Sequence, residues 1–254
     1  PNSARTILVR TELGSYVHRK TMLINRRSLL EMMAAGTAFT LIPSAQLLAK
    51  TPGKRYAMVF DVRRCTGCLS CTVSCAMENK TPVGRSRTDV SQVTVTGKSF
   101  GSAVLPMPHQ CNHCDNPPCV AVCPAKATYK RPEDGIVVID YNKCIHCQAC
   151  TKACPYGARK ADPEFKTAPE KCNFCIHRLQ EGLLPACVET CIGKARVFGD
   201  LNDENSEIYR LVKENKVYAL LSDLGTKPNI FYIGLPDDID DKAMLQTKPI
   251  QWQR

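Results

Sequence analysis

Sixteen cysteines lie between Cys65 and Cys191, in four groups of four, and the rest of the 254-residue chain has none. The groups are CTGCLSCTVSC (Cys65, Cys68, Cys71, Cys75), CNHCDNPPCVAVC (Cys111, Cys114, Cys119, Cys123), CIHCQACTKAC (Cys144, Cys147, Cys150, Cys154) and CNFCIHRLQEGLLPACVETC (Cys172, Cys175, Cys187, Cys191). Such spacing crowds thiols into short loops, and this constrains the chain more than any local propensity does. Groups one and three carry the bacterial ferredoxin run C-x2-C-x2-C-x3-C, and Pro155 follows the third. Groups two and four keep the opening C-x2-C and the closing C-x3-C, but lengthen the spacer between them to four and eleven residues.

A cubane needs thiolates at the corners of a small tetrahedron. Two-residue spacers let one tight loop wrap three of its irons, with loop amides available to the sulfurs. The fourth cysteine begins a helical turn, points away from that loop and reaches the other cluster of a pair. A proline after it suits the change of direction. Sixteen cysteines in four such groups make four [4Fe–4S] clusters with none left over. Four zinc sites would also use sixteen, but zinc ligands come mostly as two C-x2-C pairs set well apart, whereas two loops here crowd three cysteines each. Cysteines three apart are poor disulfide staples for long loops, and no C-x-x-C is followed by the histidine that a c-type haem requires. His113, His146 and His177 lie beside the groups, yet every cluster already has four sulfurs. They are therefore assigned no ligand role, only tuning from outside the ligand set or a surface position.

Between groups two and three, ATYK, a turn at 132–135 and the β-branched 136–139 predict a hairpin. Groups two and three thus form one compact two-cluster module, and groups one and four pair around it. The fold expected is α+β: two bacterial-ferredoxin-like modules, one inserted in the other. The outer module takes 55–108 with 165–200, the inserted one 109–164, and 201–254 is a C-terminal docking or packing extension. The segment after group one, with an alternating strand at 93–96, reads as a polar connecting arm. GKARVFGD predicts a strand and turn; Ile208, Leu211 and Val212 stand at helical spacing, and NIFYIGL reads as a further strand.

Residues 22–50 read as an export signal. Arg26 and Arg27 precede an apolar run from Met32 to Ile42, as in a twin-arginine signal, a route that carries folded, cofactor-loaded cargo. Asn25, Leu29 and Glu31 depart from the usual pattern, and Ala45 and Ala49 do not make an Ala-x-Ala cleavage site, so cleavage is open. Residues 1–21 precede the first methionine, carry no motif and read as an upstream extension of doubtful origin. The run is too short to span a bilayer and no later segment is apolar enough, so no direct membrane span is expected and attachment must come through a partner. Net charge is +10. Metal-bound thiolates are missing from that sum, so the excess reads as counter-charge rather than as a nucleic-acid surface. Arg63, Arg64, Arg159 and Lys160 flank the groups, either docking an acidic partner, offsetting cluster charge or forming a solvated basic face. No Ser–His–Asp order, phosphate loop or G-x-G-x-x-G offers substrate chemistry, so the chain reads as an electron-transfer subunit and not an enzyme.

CNHCDNPPC, CPYGARK and KCNFCIHRL followed by LLPACVETC resemble, over about 55–235, the four-cluster iron–sulfur subunits of the dimethyl sulfoxide reductase family of molybdenum complexes. RYAMVFDVRRCTGC, SCTVSCAMENKTP and NIFYIGL resemble most the tetrathionate reductase branch, with arsenate, thiosulfate and polysulfide reductase subunits similar. The resemblance implies the ligand sets: Cys65, Cys68, Cys71 with Cys191; Cys172, Cys175, Cys187 with Cys75; Cys111, Cys114, Cys119 with Cys154; and Cys144, Cys147, Cys150 with Cys123. It also implies a position between a molybdopterin catalytic subunit and a polytopic quinol-oxidising membrane subunit, and the export signal at 22–50 makes that position periplasmic. A free-standing exported polyferredoxin is the other reading of the same clusters, and a zinc-stabilised interaction module is the reading without them.

Overall fold

The computed structural model describes residues 53–239, with the backbone of Lys248 and Pro249. The expected signal at 22–50 and the stretch 1–21 lie outside the described residues. The elements run β1 (Tyr56–Asp61), α1 (Ser70–Asn79), β2 (Thr88–Gly97), β3 (Gly101–Gln110), α2 (Pro118–Ala121), β4 (Thr128–Lys130), β5 (Val137–Ile139), α3 (Ala149–Lys152), α4 (Ile176–Gln180), α5 (Ala186–Glu189), β6 (Arg196–Asp200), α6 (Glu207–Glu214), β7 (Tyr218–Ala219), β8 (Ile230–Ile233) and β9 (Lys248–Pro249). Helices and strands are interspersed, so the content is mixed.

The main sheet has the order β6-β1-β8-β7-β9. β1 pairs antiparallel with β6 and parallel with β8, Met58 standing opposite Phe198 on one side and Ile230 on the other. Side chains alternate across a strand, and here the two faces have different tasks. Met58, Phe60, Ile230 and Tyr232 face the cysteine loops and pack with Cys71, Cys111, Cys172 and Cys187. Ala57, Val59, Phe231 and Ile233 face the opposite way, onto Ile208 and Val212 of α6. Each large apolar side chain so buried stabilises the fold by about 1.5–3 kcal/mol.

α6 forms where the apolar spacing predicts a helix. Ser206 caps it, its hydroxyl accepting from the Tyr209 amide at 3.2 Å, and Glu207 stands at the positive end of the helix dipole. It lies close on β6, since a Cβ at Gly199 would stand 2.9 Å from the Ile208 methyl.

The two remaining sheets are hairpins. β4 and β5 pair Thr128 with Ile139, where the sequence predicts a hairpin. β2 and β3 pair along their whole length, from Thr88–Gln110 to Gly97–Gly101. The expectation of a polar arm is corrected here: alternation puts Val93, Val95 and Met107 in the core on one face and leaves Gln92, Thr94, Thr96, Ser102 and Val104 exposed on the other. The C-terminal segment is also more integral than a terminal extension suggests, because β8 lies inside the main sheet.

Candidate iron–sulfur centres

The four cysteine groups share one backbone design. The residue before the second cysteine has a positive φ in every group: 69° at Gly67, 45° at His113, 58° at His146 and 53° at Phe174. Glycine adopts this conformation freely, whereas it costs about 1–2 kcal/mol at each of the other three. The left-handed residue curls the loop so that successive amides turn inward, the arrangement that cradles an anionic group. The third cysteine of each group then sits on a short helix: Cys71 on α1, Cys119 on α2, Cys150 on α3 and Cys187 on α5. The fourth follows one turn later, as the C-x3-C spacing requires.

These loops bring the cysteines together across groups. Cys65, Cys68, Cys71 and Cys191 line one cavity, and Cys123, Cys144, Cys147 and Cys150 line another. Cys114 faces Cys111, Cys119 and Cys154. Cys75 faces Cys175 and Cys187, and Cys172 faces Cys187 and Cys75. Each set thus draws three thiols from one group and the fourth from another. Cys68 and Cys147 are exposed, whereas Cys75, Cys172, Cys175 and Cys187 are all buried.

The donor chemistry fits a cubane cluster. Each set offers four thiols and no carboxylate, the soft donor set that a [4Fe–4S] cluster takes. Burial pushes Cys75 and Cys114 up to about 12 and Cys187 to about 11, and holds Cys172 well above the ordinary thiol range. At Cys68 the opposite holds: hydrogen bonding from the Ser70 amide brings it down to about 7. The buried thiols become thiolates only when a metal displaces their protons. Donors already stand ready for that charge. The Ala195 amide points at Cys191 Sγ at 3.2 Å and the Phe174 amide at Cys172 Sγ at 3.4 Å. Asn79 Nδ2 lies 3.6 Å from Cys75 Sγ and 3.8 Å from Cys175 Sγ.

Sequence reasoning named Arg159 beside the clusters but did not single out two further buried cations, Arg196 and Lys171. Arg196 is 3 % exposed and donates through Nη2 to Cys71 Sγ at 3.2 Å. Lys171, also buried, donates to the carbonyls of Val137 and Cys172 beside the thiols of Cys111 and Cys119. Arg159, which the sequence allows on a solvated face, is 2 % exposed and donates to Cys119 Sγ at 3.2 Å. A signal is present in the sequence: Arg159 and Arg196 each follow a group's last cysteine by five residues, in CPYGAR and CIGKAR. The other basic residues beside the groups differ. Arg63 pairs with Asp61, Lys160 with Asp89, and Arg64 Nε donates to the Gly193 carbonyl. Of the histidines, His113 is buried, stacked on Phe174 with ring centroids 3.9 Å apart, its Nδ1 accepting from the Val137 amide at 3.1 Å. His177 pairs with Glu78 at the surface.

Four repeated thiol cradles, backed by donors to sulfur, define an iron–sulfur electron carrier of the ferredoxin-like class. Residues 102–201 match the model of the 4Fe-4S dicluster domain. Over 207 residues the chain is 50 % identical to the B subunit of tetrathionate reductase from Salmonella typhimurium, covering 80 % of this chain and 82 % of that protein. The corresponding tetrathionate reductase B chain of Archaeoglobus fulgidus is 45 % identical over 72 % of this chain and 84 % of its own. The selenate reductase B chain of Mesobacillus selenatarsenatis is 41 % identical over 70 % and 72 %. The chain belongs to this family of reductase iron–sulfur B subunits; it is an electron-transfer subunit carrying [4Fe–4S] clusters, not a catalytic one.

Proposed function

We propose that the sixteen cysteines hold four clusters in two ferredoxin-like modules, one inserted in the other, as a single electron path. The outer module spans 55–108 and 165–200 and the inserted one 109–164. Cys65, Cys68 and Cys71 share a cluster with Cys191, and Cys172, Cys175 and Cys187 share one with Cys75. Cys111, Cys114 and Cys119 take Cys154, and Cys144, Cys147 and Cys150 take Cys123. When bound, each cluster supplies a centre that gains and loses one electron. The chain's part is to space these centres, bury them and balance their charge.

The observation that carries this reading is the convergence of each group's last cysteine on another group, Cys191 on Cys65 and Cys71, Cys154 on Cys111 and Cys114. Exposure supports an order. Cys68 and Cys147 belong to the end sites, where electrons enter and leave, and the buried sets around Cys75 and Cys114 lie between them. Excluding water from the middle sites keeps their surroundings fixed, so little rearranges as charge passes.

The partners in this reading are a molybdopterin catalytic subunit at one end and a polytopic quinol-oxidising membrane subunit at the other. The 50 % identity to a tetrathionate reductase chain supports tetrathionate as the terminal acceptor of the complex. Arsenate, thiosulfate or polysulfide would draw electrons through the same path. Arg26 and Arg27 support export in the folded state to the periplasm, with attachment to the inner membrane through the membrane partner. The test is iron, acid-labile sulfide and zinc per chain after anaerobic purification. About sixteen irons and sixteen sulfides, the content of four cubanes, are expected. About four zincs without sulfide, as four tetrahedral sites hold, would overturn the reading.

A further inference from the structure

We infer that Arg159 and Arg196 are a duplicated pair of charge-setting residues, one per module, each a buried cation shared by two cluster sites whose reduction potentials it raises. The inference rests on the four-cluster reading above. Its observation is a repeat that runs from the sequence into the side-chain geometry. Each arginine stands five residues after the last cysteine of its group, Cys154 and Cys191. Each sends Nη2 to the third cysteine of the other group in its module at 3.2 Å, Arg159 to Cys119 and Arg196 to Cys71. Each also donates to a threonine hydroxyl, Arg159 to Thr128 at 3.4 Å and Arg196 to Thr88 at 3.0 Å. Finally, each faces the third cysteine of its own group, Cys150 for Arg159 and Cys187 for Arg196. Each guanidinium therefore touches a sulfur of one cluster site and acts through its charge on a sulfur of a second.

Charge accounting makes these contacts more than packing. Among the described residues, neither arginine forms an ion pair with a carboxylate. A buried cation without a counter-ion is strongly unfavourable, and arginine does not escape by losing its proton. Arg196 is partly accommodated by Gln110 Oε1 at 2.8 Å and by the Phe60 ring, 4.7 Å from its guanidinium carbon. The balancing negative charge is that of the thiolate-bound sites on either side. A fixed positive charge beside an iron–sulfur site favours its reduced, more negative state, because hydrogen bonds and net charge at the sulfurs set the potential. Since each arginine is shared, one substitution should move two midpoints and leave the other module's two in place.

The test is an EPR-monitored redox titration of the full chain purified anaerobically, as wild type and as Arg196→Met, Arg196→Lys, Arg159→Met and Arg159→Lys. Wild type must first show about sixteen irons and sulfides; a chain without sulfide ends the four-cluster reading and this inference with it. Given that content, Arg196→Met should shift two midpoints downward by about tenfold in the redox equilibrium, or about 59 mV for a one-electron couple. Arg159→Met should shift the other two, and each lysine variant, which keeps the charge, should retain most of the wild-type potential. The inference is overturned if no midpoint moves, if all four move together, or if lysine shifts them as far as methionine. It is also overturned if both variants at a site merely lose iron, which would make that arginine a structural residue only.

Discussion

Phe174→Ala tests whether the ring pair between groups two and four holds these two cysteine loops together. Phe174 is 1 % exposed, stacks on His113 at 3.9 Å and meets the edge of Phe198 at 5.1 Å. Deleting a fully buried ring costs about 3–5 kcal/mol in lost transfer and residual cavity. Of that, about 0.5–1.5 kcal/mol belongs to the aromatic contact itself and is lost in Phe174→Leu too. A local reporter is available, because the Val137 amide donates to His113 Nδ1 at 3.1 Å. Hydrogen exchange at that amide in the cluster-loaded chain reads the opening free energy. At 1.4 kcal/mol per tenfold, Phe174→Ala should accelerate exchange by about two to three and a half orders of magnitude, and Phe174→Leu by about tenfold or less. Acceleration below about tenfold for the alanine variant, or equal damage from leucine, would refute the reasoning that the buried ring fastens this junction.

Three further outcomes follow from other contacts. Gly193→Ala would place a Cβ 2.1 Å from the Arg64 carbonyl oxygen, so backbone must shift; a loss of about 1–3 kcal/mol, read as a lower thermal midpoint, is expected. Glu170→Ala removes the carboxylate 2.7 Å from Arg87 in a pair whose side chains are 10 % and 16 % exposed. The uncompensated cation should cost about 3–5 kcal/mol in chemical denaturation, against near-neutrality for a solvated pair. Iron release to a chelator should be biphasic: the sites containing exposed Cys68 and Cys147 empty first and the two buried sites later, and a single phase would contradict the difference in burial.

What the sequence made legible was local. C-x2-C and C-x3-C spacings determine loop shape by themselves, so the thiol cradles could be read before any contact was known. The hairpin of β4 and β5 and the helix carrying Ile208 and Val212 were readable for the same reason, being set by turn residues and apolar period. The parts left open or misread depend on distant partners. Arg159 has the composition of a surface residue, and only the approach of Cys119 and Thr128 makes its site interior. The β2–β3 ribbon reads as an arm because its exposed face carries Gln92, Thr94, Thr96 and Ser102; its buried face needs a core that the segment does not itself contain. Lys171 carries no local signal at all.

The place of β1 has a consequence for how the molecule comes into being. β1 is the first described strand to be made, yet both its neighbours, β6 and β8, are made near the end. A nascent chain that has just completed Cys191 owns every cysteine but not the sheet against which Cys71, Cys172 and Cys187 pack. Pairings so distant along the chain form late and slowly, since the intervening loop must close before any contact offsets its entropy. Cys71, Cys172 and Cys187 are therefore expected to stay open to cluster loading, and equally to oxidation, until translation has passed residue 233. Closure of the sheet over Met58 and Phe60 buries Cys71, Cys172 and Cys187, so loading of the site that Cys172 and Cys187 share is expected to precede it.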